Sequence, residues 1–146
     1  MILFPEHPKE LNLGHRRFRL IEPYRYEWEH EDVDHRITVF SGFEHDGASV
    51  PGILRGFIPP EPLDRAGLVH DWMHHWKGHL PDGSHEVLVD NYWVVVGRPW
   101  SQYDSDRLFG RMLREDPEGP RRWRRRAAYR AVRVWGWRHW RKGGWA

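Results

Sequence analysis

The chain has 146 residues, a formal net charge of +2 and no cysteine. A chain of this length can bury enough surface for one hydrophobic core, so we expect a single domain over residues 1–146. Residues 1–58 should be β-rich, and residues 62–146 should hold a helix, an inserted hairpin and two C-terminal helices. The lack of cysteine excludes disulfides, thiolate metal sites and cysteine nucleophiles. Any metal ligand must therefore be histidine, carboxylate or backbone oxygen.

The two ends of the chain differ strongly in charge. Residues 121–142 contain 10 of the 23 basic residues and no acidic residue. Residues 1–120 contain 13 basic residues and all 21 acidic ones, which gives that part a charge of −8. The basic segment can lie against the acidic body or stay solvated. Alternatively, it can meet an acidic partner such as nucleic acid, a membrane or another subunit.

The N-terminal segment predicts neither a targeting signal nor a membrane anchor. The segment "MILFPEHPKELNLGH" lacks a basic n-region followed by an apolar h-region. No apolar run in the chain approaches the roughly 18 residues needed to span a bilayer. We therefore expect a soluble protein with no signal peptide and no transmembrane segment.

The first half of the chain predicts strands. The segments "FRLIEPYRYEWEH" and "HRITVFSGF" alternate apolar and charged residues, and the acidic "EDVD" between them suits a turn. This pattern predicts a β-hairpin or a small meander over Arg17–Phe43. The glycine- and proline-rich "DGASVPGILRGFIPPEP" that follows predicts an ordered loop.

A helix is predicted to begin near Leu63 and to end at Gly78. Its apolar residues recur at spacings of three or four, which is the period of a helix with one buried face. The residues of this stripe are Leu63, Ala66, Val69, Met73 and Trp76.

The second half predicts another hairpin and two more helices. The segment "VLVDNYWVVVG" reads as two strands joined at "DN". Ser101 or Asp104 can cap the next helix, whose inward residues are Leu108, Phe109, Met112 and Leu113. The last helix should run from about Pro120 to Trp140, with one side formed by Trp123, Ala127, Ala131 and Val134. Strands first and helices later indicate an α+β fold.

Polar residues on two helices and a loop form a candidate site. His70 and His74 are four residues apart, so they share one helix face as two metal ligands would. Asp71 is turned about 100° from His70 and can address a different partner. Asp106 lies at the edge of an apolar helix face, where a carboxylate must be paired, hydrogen-bonded or metal-bound. With Asp46 in the loop, these residues could converge on folding.

A purely structural interpretation stays open for the same residues. Asp46 and Ser49, beside Pro51 in the loop, are typical of a turn whose side chains bond nearby amides. A buried histidine is also commonly a satisfied hydrogen-bond donor. Three further histidines lie at or beyond a helix end and are expected to be exposed: His75, His79 and His85.

Four segments together resemble a known family. In chain order they are "GFEHDGASVPG", "AGLVHDWMHH", "SDRLFGRMLRE" and "AYRAVRVWGWRHW". They resemble the signature blocks of a small phage and prophage protein family, catalogued as a domain of unknown function and numbered thirteen fifty-three. The resemblance extends from Ile37 to Trp140. It departs from the family pattern at His45, where a threonine is expected, and in the hairpin around "VLVDNYWVVVG".

The resemblance implies functional positions and a biological setting. The polar positions carried over are Asp46, Ser49, His70, Asp71, Asp106, Tyr129 and Arg130. The implied setting is a phage or prophage protein in a virion or the host cytoplasm. Its implied partners are other phage particle or tail proteins, and a homo-oligomer is also compatible. The resemblance implies no particular reaction.

Three functions are compatible with these features. The first is a minor virion or tail-associated structural or assembly protein, with the Asp/His cluster as a conformational lock. Its interaction surface would be built from the tryptophan and arginine types enriched in interfaces, namely Trp123, Arg130, Trp135, Trp137 and Trp140. Another of the three is binding of nucleic acid or a membrane by the same basic helix.

The second function is a metal-dependent hydrolase acting on peptidoglycan or a phosphoester. His70 and Asp71 are its candidate catalytic residues. The candidate ligands of a Zn, Ca or Mg ion are Asp46, His70, Asp71, His74 and Asp106. An oxygen-rich set would suit a hard cation such as Ca²⁺ or Mg²⁺, whereas participation of His74 would favour zinc.

Overall fold

The structure of the protein is a computed structural model that describes residues 4–15, 17–45 and 64–142. For residues 135–142 it describes the backbone alone. The fold is α+β, as predicted: within the described residues seven strands form two antiparallel sheets, one helix lies between the fifth and sixth strands, and two helices follow the last strand. The strands are β1 (Glu10–Gly14), β2 (Arg17–Leu20), β3 (Tyr24–His30), β4 (Val33–Val39), β5 (Glu44–His45), β6 (His85–Val89) and β7 (Tyr92–Val95). The helices are α1 (Asp64–His75), α2 (Gln102–Glu115) and α3 (Arg122–Lys142).

The first predicted strand segment is divided between the two sheets. Strands β1, β2 and β5 form a three-stranded sheet, whereas β3 begins a four-stranded sheet of order β3-β4-β6-β7. The break falls between Leu20 and Tyr24. Pro23 lies in this gap, and it cannot donate a backbone hydrogen bond to a ladder. The alternating pattern across the gap therefore comes from two strands in different sheets.

The second predicted hairpin extends the first one. Strands β6 and β7 pair with each other, and β6 also pairs with β4 through Ile37↔His85. Both hairpin turns have two residues with positive φ, which suits the right-handed twist of the strands. The turn residues are Glu31 and Asp32 in the first hairpin and Asp90 and Asn91 in the second. The predicted turn positions are confirmed, and the inserted hairpin forms one sheet with the N-terminal strands.

The core lies between the four-stranded sheet and the helices. The sheet contributes Tyr24, Tyr26, Trp28, Ile37 and Val39. The predicted inward residues of α2 are all buried, which confirms that stripe. On α3 the prediction was partly wrong, because Trp123 is 57% exposed and Val134 is 67% exposed. The buried face of α3 instead contains Ala128, Ala131 and Val132. The Tyr129 ring packs against Gly110, whose lack of a side chain lets α2 and α3 approach closely.

The helix ends follow ordinary capping rules. The Ser101 side chain accepts a hydrogen bond from the Asp104 amide at 3.0 Å and caps α2. After α1 the amides of Lys77 and Gly78 bond back to the carbonyls of His74 and Met73, at 3.1 and 3.0 Å. This is a Schellman-type end with positive φ at Lys77 and Gly78.

Gly78 also contacts the segment that leads into α2. The Trp100 amide donates to the Gly78 carbonyl at 2.9 Å. A Cβ atom at position 78 would lie 1.9 Å from the Trp100 carbonyl oxygen. Only glycine permits this approach, which connects the end of α1 to the start of α2.

A buried ion cluster fixes the start of α1. The Arg65 guanidinium is nearly fully buried and donates to Asp116, to Glu118 at 2.9 Å and to the Pro5 carbonyl at 3.1 Å. His7 joins the periphery through Asp64 and Glu118, each at 2.7 Å, and these hydrogen bonds raise the pKa of His7. The cluster connects the N-terminal segment, α1 and the end of α2.

None of the helices in the described part of the chain is both long and apolar enough to cross a membrane.

Candidate metal centre

Helix α1 presents two buried histidines toward α2. His70 and His74 lie one turn apart, and their ring centroids are 4.0 Å from each other. Their side chains are each about 4% exposed. The His70 ring also packs against Phe109 on α2, at 5.0 Å between centroids. The spacing predicted from the sequence thus places both imidazoles on one inward face.

Asp106 is the centre on which these side chains converge. Its carboxylate is fully buried, and Oδ1 lies 2.7 Å from His70 Nε2 and 3.4 Å from His74 Nε2. The other oxygen, Oδ2, accepts from Arg133 on α3 at 2.9 Å and from Gln102 at 3.3 Å. The cluster therefore connects all three helices through one carboxylate.

The surroundings keep the carboxylate charged and His74 neutral. Burial by itself raises the pKa of Asp106, but hydrogen bonds from His70 and His74 outweigh it and hold the pKa at about 2. Burial, with a smaller contribution from the neighbouring His70, lowers the pKa of His74 to about 4. A neutral imidazole next to an ionised carboxylate is the protonation state that metal binding requires.

The donor atoms have the separation of a metal ligand set. One nitrogen each from His70 and His74 and one oxygen from Asp106 all lie within 4.8 Å of one another. Ligand atoms around tetrahedral zinc lie about 3.3 Å apart, because each bond is about 2.0–2.1 Å long. The His74–Asp106 distance of 3.4 Å matches this value, and the His70–Asp106 distance of 2.7 Å is a hydrogen-bond length. Arg133 and Gln102 hold the second carboxylate oxygen, as outer groups commonly hold a ligating carboxylate.

Asp71 points away from this cluster. Its Oδ2 lies 4.0 Å from His45 Nδ1, and His45 Nε2 lies 2.8 Å from Glu10 Oε1. The side chains of His45 and Asp71 are 5% and 7% exposed. The sequence-based expectation that Asp71 addresses a different partner from His70 agrees with this arrangement, in which α1 also connects to β1 and β5.

The remaining predicted residues are placed as follows. Asp46, Ser49 and Pro51 lie outside the described residues. Trp123 and Arg130 are exposed on α3. Trp135, Trp137 and Trp140 lie on the α3 backbone, in the part whose side chains are not described.

No sequence-based prediction was made for two residues of the cluster, and two histidines expected to be exposed are not: His75 is half-buried against Phe43, and His85 is buried. Gln102 is four residues before Asp106, a spacing that could have suggested the contact. Arg133 carried no such signal, because its position depends on how α3 packs on α2. His85 was expected to be exposed but is buried, since it begins β6 on the inner face of the sheet beside Trp28.

Helix α3 exposes three of its described arginines to solvent, namely Arg122, Arg126 and Arg130. Among its described side chains, Arg133 alone takes part in an ion pair. Apart from the Arg133–Asp106 pair, no ion pair among the described residues joins the basic segment to the acidic body. For the other basic residues of this segment two alternatives stay open: they are solvated, or they contact an acidic partner.

Comparisons with known proteins agree with the family resemblance. A family model described as "Protein of unknown function (DUF1353)" matches residues 18–132. Neither the curated proteins nor the solved structures gave a match. Because the family model covers well over half of the chain, the protein belongs to this family.

Proposed function

We propose that the protein is a metal-dependent hydrolase whose ion is bound by His70, His74 and Asp106. The observation that carries the proposal is the convergence of two imidazole nitrogens and one carboxylate oxygen within 4.8 Å, from two helices. If the cluster only stabilised the fold, one imidazole hydrogen-bonded to Asp106 would be enough. The second imidazole beside the same carboxylate oxygen is the feature that favours a metal.

The ligand chemistry favours zinc over calcium or magnesium. The set contains two nitrogens and one oxygen, whereas Ca²⁺ and Mg²⁺ prefer sites made of oxygen. Three protein ligands are also the usual number at a catalytic zinc, where the fourth position takes water. Such an ion supplies Lewis-acid activation of water for hydrolysis.

The other residues of the cluster orient this site. Arg133 and Gln102 fix the Asp106 carboxylate so that Oδ1 faces the histidines. Fixed outer contacts of this kind raise metal affinity because the ligands need not be ordered on binding. Peptidoglycan and phosphoesters are the two substrate classes we propose, and a phage-encoded enzyme would have use for either.

Calorimetric titration of the metal-free protein with zinc tests the proposal. We expect one equivalent of zinc to bind, and His74→Gln to weaken binding by at least about tenfold, the loss found even for groups that only orient a ligand. His75→Gln is the matched control, because His75 is the next residue on α1 and has no contact with Asp106 among the described residues. If zinc does not bind in stoichiometric amount, or both variants lose it equally, the metal centre is wrong.

Turnover is tested separately from metal binding. Zinc-loaded protein is assayed with bis(p-nitrophenyl) phosphate and with purified peptidoglycan, beside the His74→Gln and His75→Gln variants. We expect hydrolysis of one substrate class by the wild type and by His75→Gln. Stoichiometric zinc without turnover of either class would overturn the hydrolase and leave a structural metal.

A second candidate is an assembly protein that contacts an acidic partner through α3. The observation that favours it is the exposed Trp123, 57% accessible, beside arginines that have no ion-pair partner among the described residues. Tryptophan and arginine are the types that concentrate binding energy in interfaces. We propose a phage particle or tail protein as this partner.

The α3 surface is tested by sedimentation and by DNA titration. Self-association that is lost in Trp123→Ala/Arg130→Ala would support an assembly surface. DNA binding with a steep salt dependence, lost in the same variant, would instead indicate nucleic acid as the partner. If the variant changes neither measurement, both uses of this surface are unsupported.

A further inference from the structure

A second site lies on another side of α2, in a cleft against the inner face of the four-stranded sheet. The cleft has a volume of about 370 Å³. Its floor consists of aromatic and histidine rings from the sheet and the segment before α2, namely Trp28, His30, His35, His85 and Trp100. A volume of this size lies at the lower end of the range for small-molecule sites.

The wall of the cleft is strongly basic. It contains Arg98 and a row on α2 formed by Arg107, Arg111 and Arg114, against a single carboxylate, Asp104. Arg111 is neutralised by Glu115 at 2.8 Å. The other three arginines take part in none of the ion pairs of the described residues. The cleft therefore carries an excess of positive charge.

Hydrogen bonds fix the tautomers of the two histidines in the floor. The Trp100 indole can only donate, so His85 Nδ1 accepts its hydrogen bond at 3.2 Å. His85 Nε2 must then carry the proton and donate to His35 Nδ1 at 3.1 Å. In consequence His35 carries its own proton on Nε2. Burial lowers the pKa of both histidines, for His85 to about 4, so this neutral pair persists at neutral pH.

The rings of the floor pack against one another. Trp28 stacks on His35 at 5.2 Å and meets Trp100 edge to face at 5.9 Å. His30 is exposed, and His35 and Trp100 are half-buried, so a ligand in the cleft can contact these three rings. Ring packing of this kind favours an aromatic ligand.

We propose that this cleft binds a nucleoside monophosphate, with its phosphate on the arginines and its base against the rings. Arginine recognises phosphate through charge-assisted and often paired hydrogen bonds. The His35 Nε2–H adds a neutral donor, and the Asp104 carboxylate can accept from a sugar hydroxyl. The site is independent of the metal centre, because it uses Arg107, Arg111 and Arg114 and none of His70, His74 and Asp106.

Calorimetric titration of the full chain with AMP and UMP tests this proposal. EDTA is included so that any metal-dependent turnover does not contribute heat. We expect each nucleotide to bind one equivalent, with adenosine and uridine at least about tenfold weaker, since they lack the charged hydrogen-bond acceptor. Inorganic phosphate should also bind more weakly, because it gains nothing from the rings.

Two variants distinguish the cleft from general attraction to a basic protein. Arg107→Gln/Arg114→Gln should lower AMP affinity by at least about tenfold, since two charged contacts are removed. Both side chains are exposed, so the fold should persist. Arg25→Gln is the control, because Arg25 is exposed on the same sheet but outside the cleft.

Three results would overturn the proposal. The first is that neither AMP nor UMP shows saturable binding. The second is that Arg25→Gln weakens binding as much as the cleft variant does. The third is that the nucleosides bind as tightly as the nucleotides, which would remove the role of the arginines.

Discussion

Within the described part of the chain, two buried carboxylates connect helices, and their partners differ. Asp116 is bonded by the Arg65 guanidinium and by the Glu118 amide at 2.8 Å. Asp106 is bonded by two imidazoles, Gln102 and Arg133. Both clusters satisfy a buried charge, and both hold α1 to the C-terminal part of the chain.

The two clusters differ in whether the groups bonded to the carboxylate can also bind a metal ion. A guanidinium has only N–H donors and no lone pair that can bind a cation. A neutral imidazole has one N–H group and one nitrogen with a lone pair, so the nitrogen that donates to Asp106 can bind a metal once the proton is on the other ring nitrogen. The Arg65 guanidinium can therefore only pair with Asp116, whereas the imidazoles at Asp106 can exchange their hydrogen bonds for a metal ion.

The largest expected effect comes from Arg65→Met. This change leaves Asp116 buried without its cation, and removing one partner of a buried pair costs about 3–5 kcal/mol of unfolding free energy. Urea unfolding followed by circular dichroism measures the loss. A loss below about 1 kcal/mol would mean that hydration or protonation of Asp116 compensates for the missing cation. The cluster would then contribute little to the free energy of unfolding.

The second prediction separates the two clusters by zinc. At a free zinc concentration one hundred times the dissociation constant, the unfolding free energy should rise by about 2.7 kcal/mol in the wild type. Arg65→Met should keep this increase, since its change is in the other cluster. Asp106→Asn should lose it. Equal stabilisation of Asp106→Asn would show that the ion binds elsewhere.

The third prediction concerns His85, a buried histidine with no carboxylate partner among the described residues. Its folded pKa of about 4 is below the ordinary value of 6.5, so between these values the unfolded chain binds the proton. Stability should therefore fall as the pH drops from 6.5 to 4, by about 1 kcal/mol for each pH unit.

Unfolding of His85→Gln across the same pH range checks this effect. The pH dependence should be smaller in this variant than in His79→Gln, because His79 is exposed. An identical slope in the two variants would assign the pH dependence to other groups.

The smallest effect is expected at an exposed ion pair. Lys9 and Glu22 are 3.4 Å apart, and both side chains are more than half exposed. Lys9→Met should change the unfolding free energy by less than about 1 kcal/mol. A loss as large as that of Arg65→Met would show that burial does not explain the difference between the clusters.

The local parts of this picture could be predicted from the sequence. Helical spacing placed His70 and His74 on one face, and the apolar stripe of α2 indicated that Asp106 would be buried. The roles of Arg133 and His85 depend on how α3 crosses α2 and on which strand pairs with β4. Those features are set by tertiary packing, and a hydrophobic pattern with period two or 3.6 carries no information on them. Arg65 likewise gave no signal, because its burial depends on residues 51 and 53 positions further along the chain.

The contact between Gly78 and Trp100 has a consequence for how this chain can vary. Any side chain at position 78 would collide with the Trp100 carbonyl, which can retreat only by moving the segment that carries the Trp100 ring of the cleft and leads into α2. His70 and Asp106 would then separate although neither had changed. A saturation library at this position should therefore return glycine alone among the folded variants. The geometry of both proposed sites thus depends on the absence of a side chain at one position outside them.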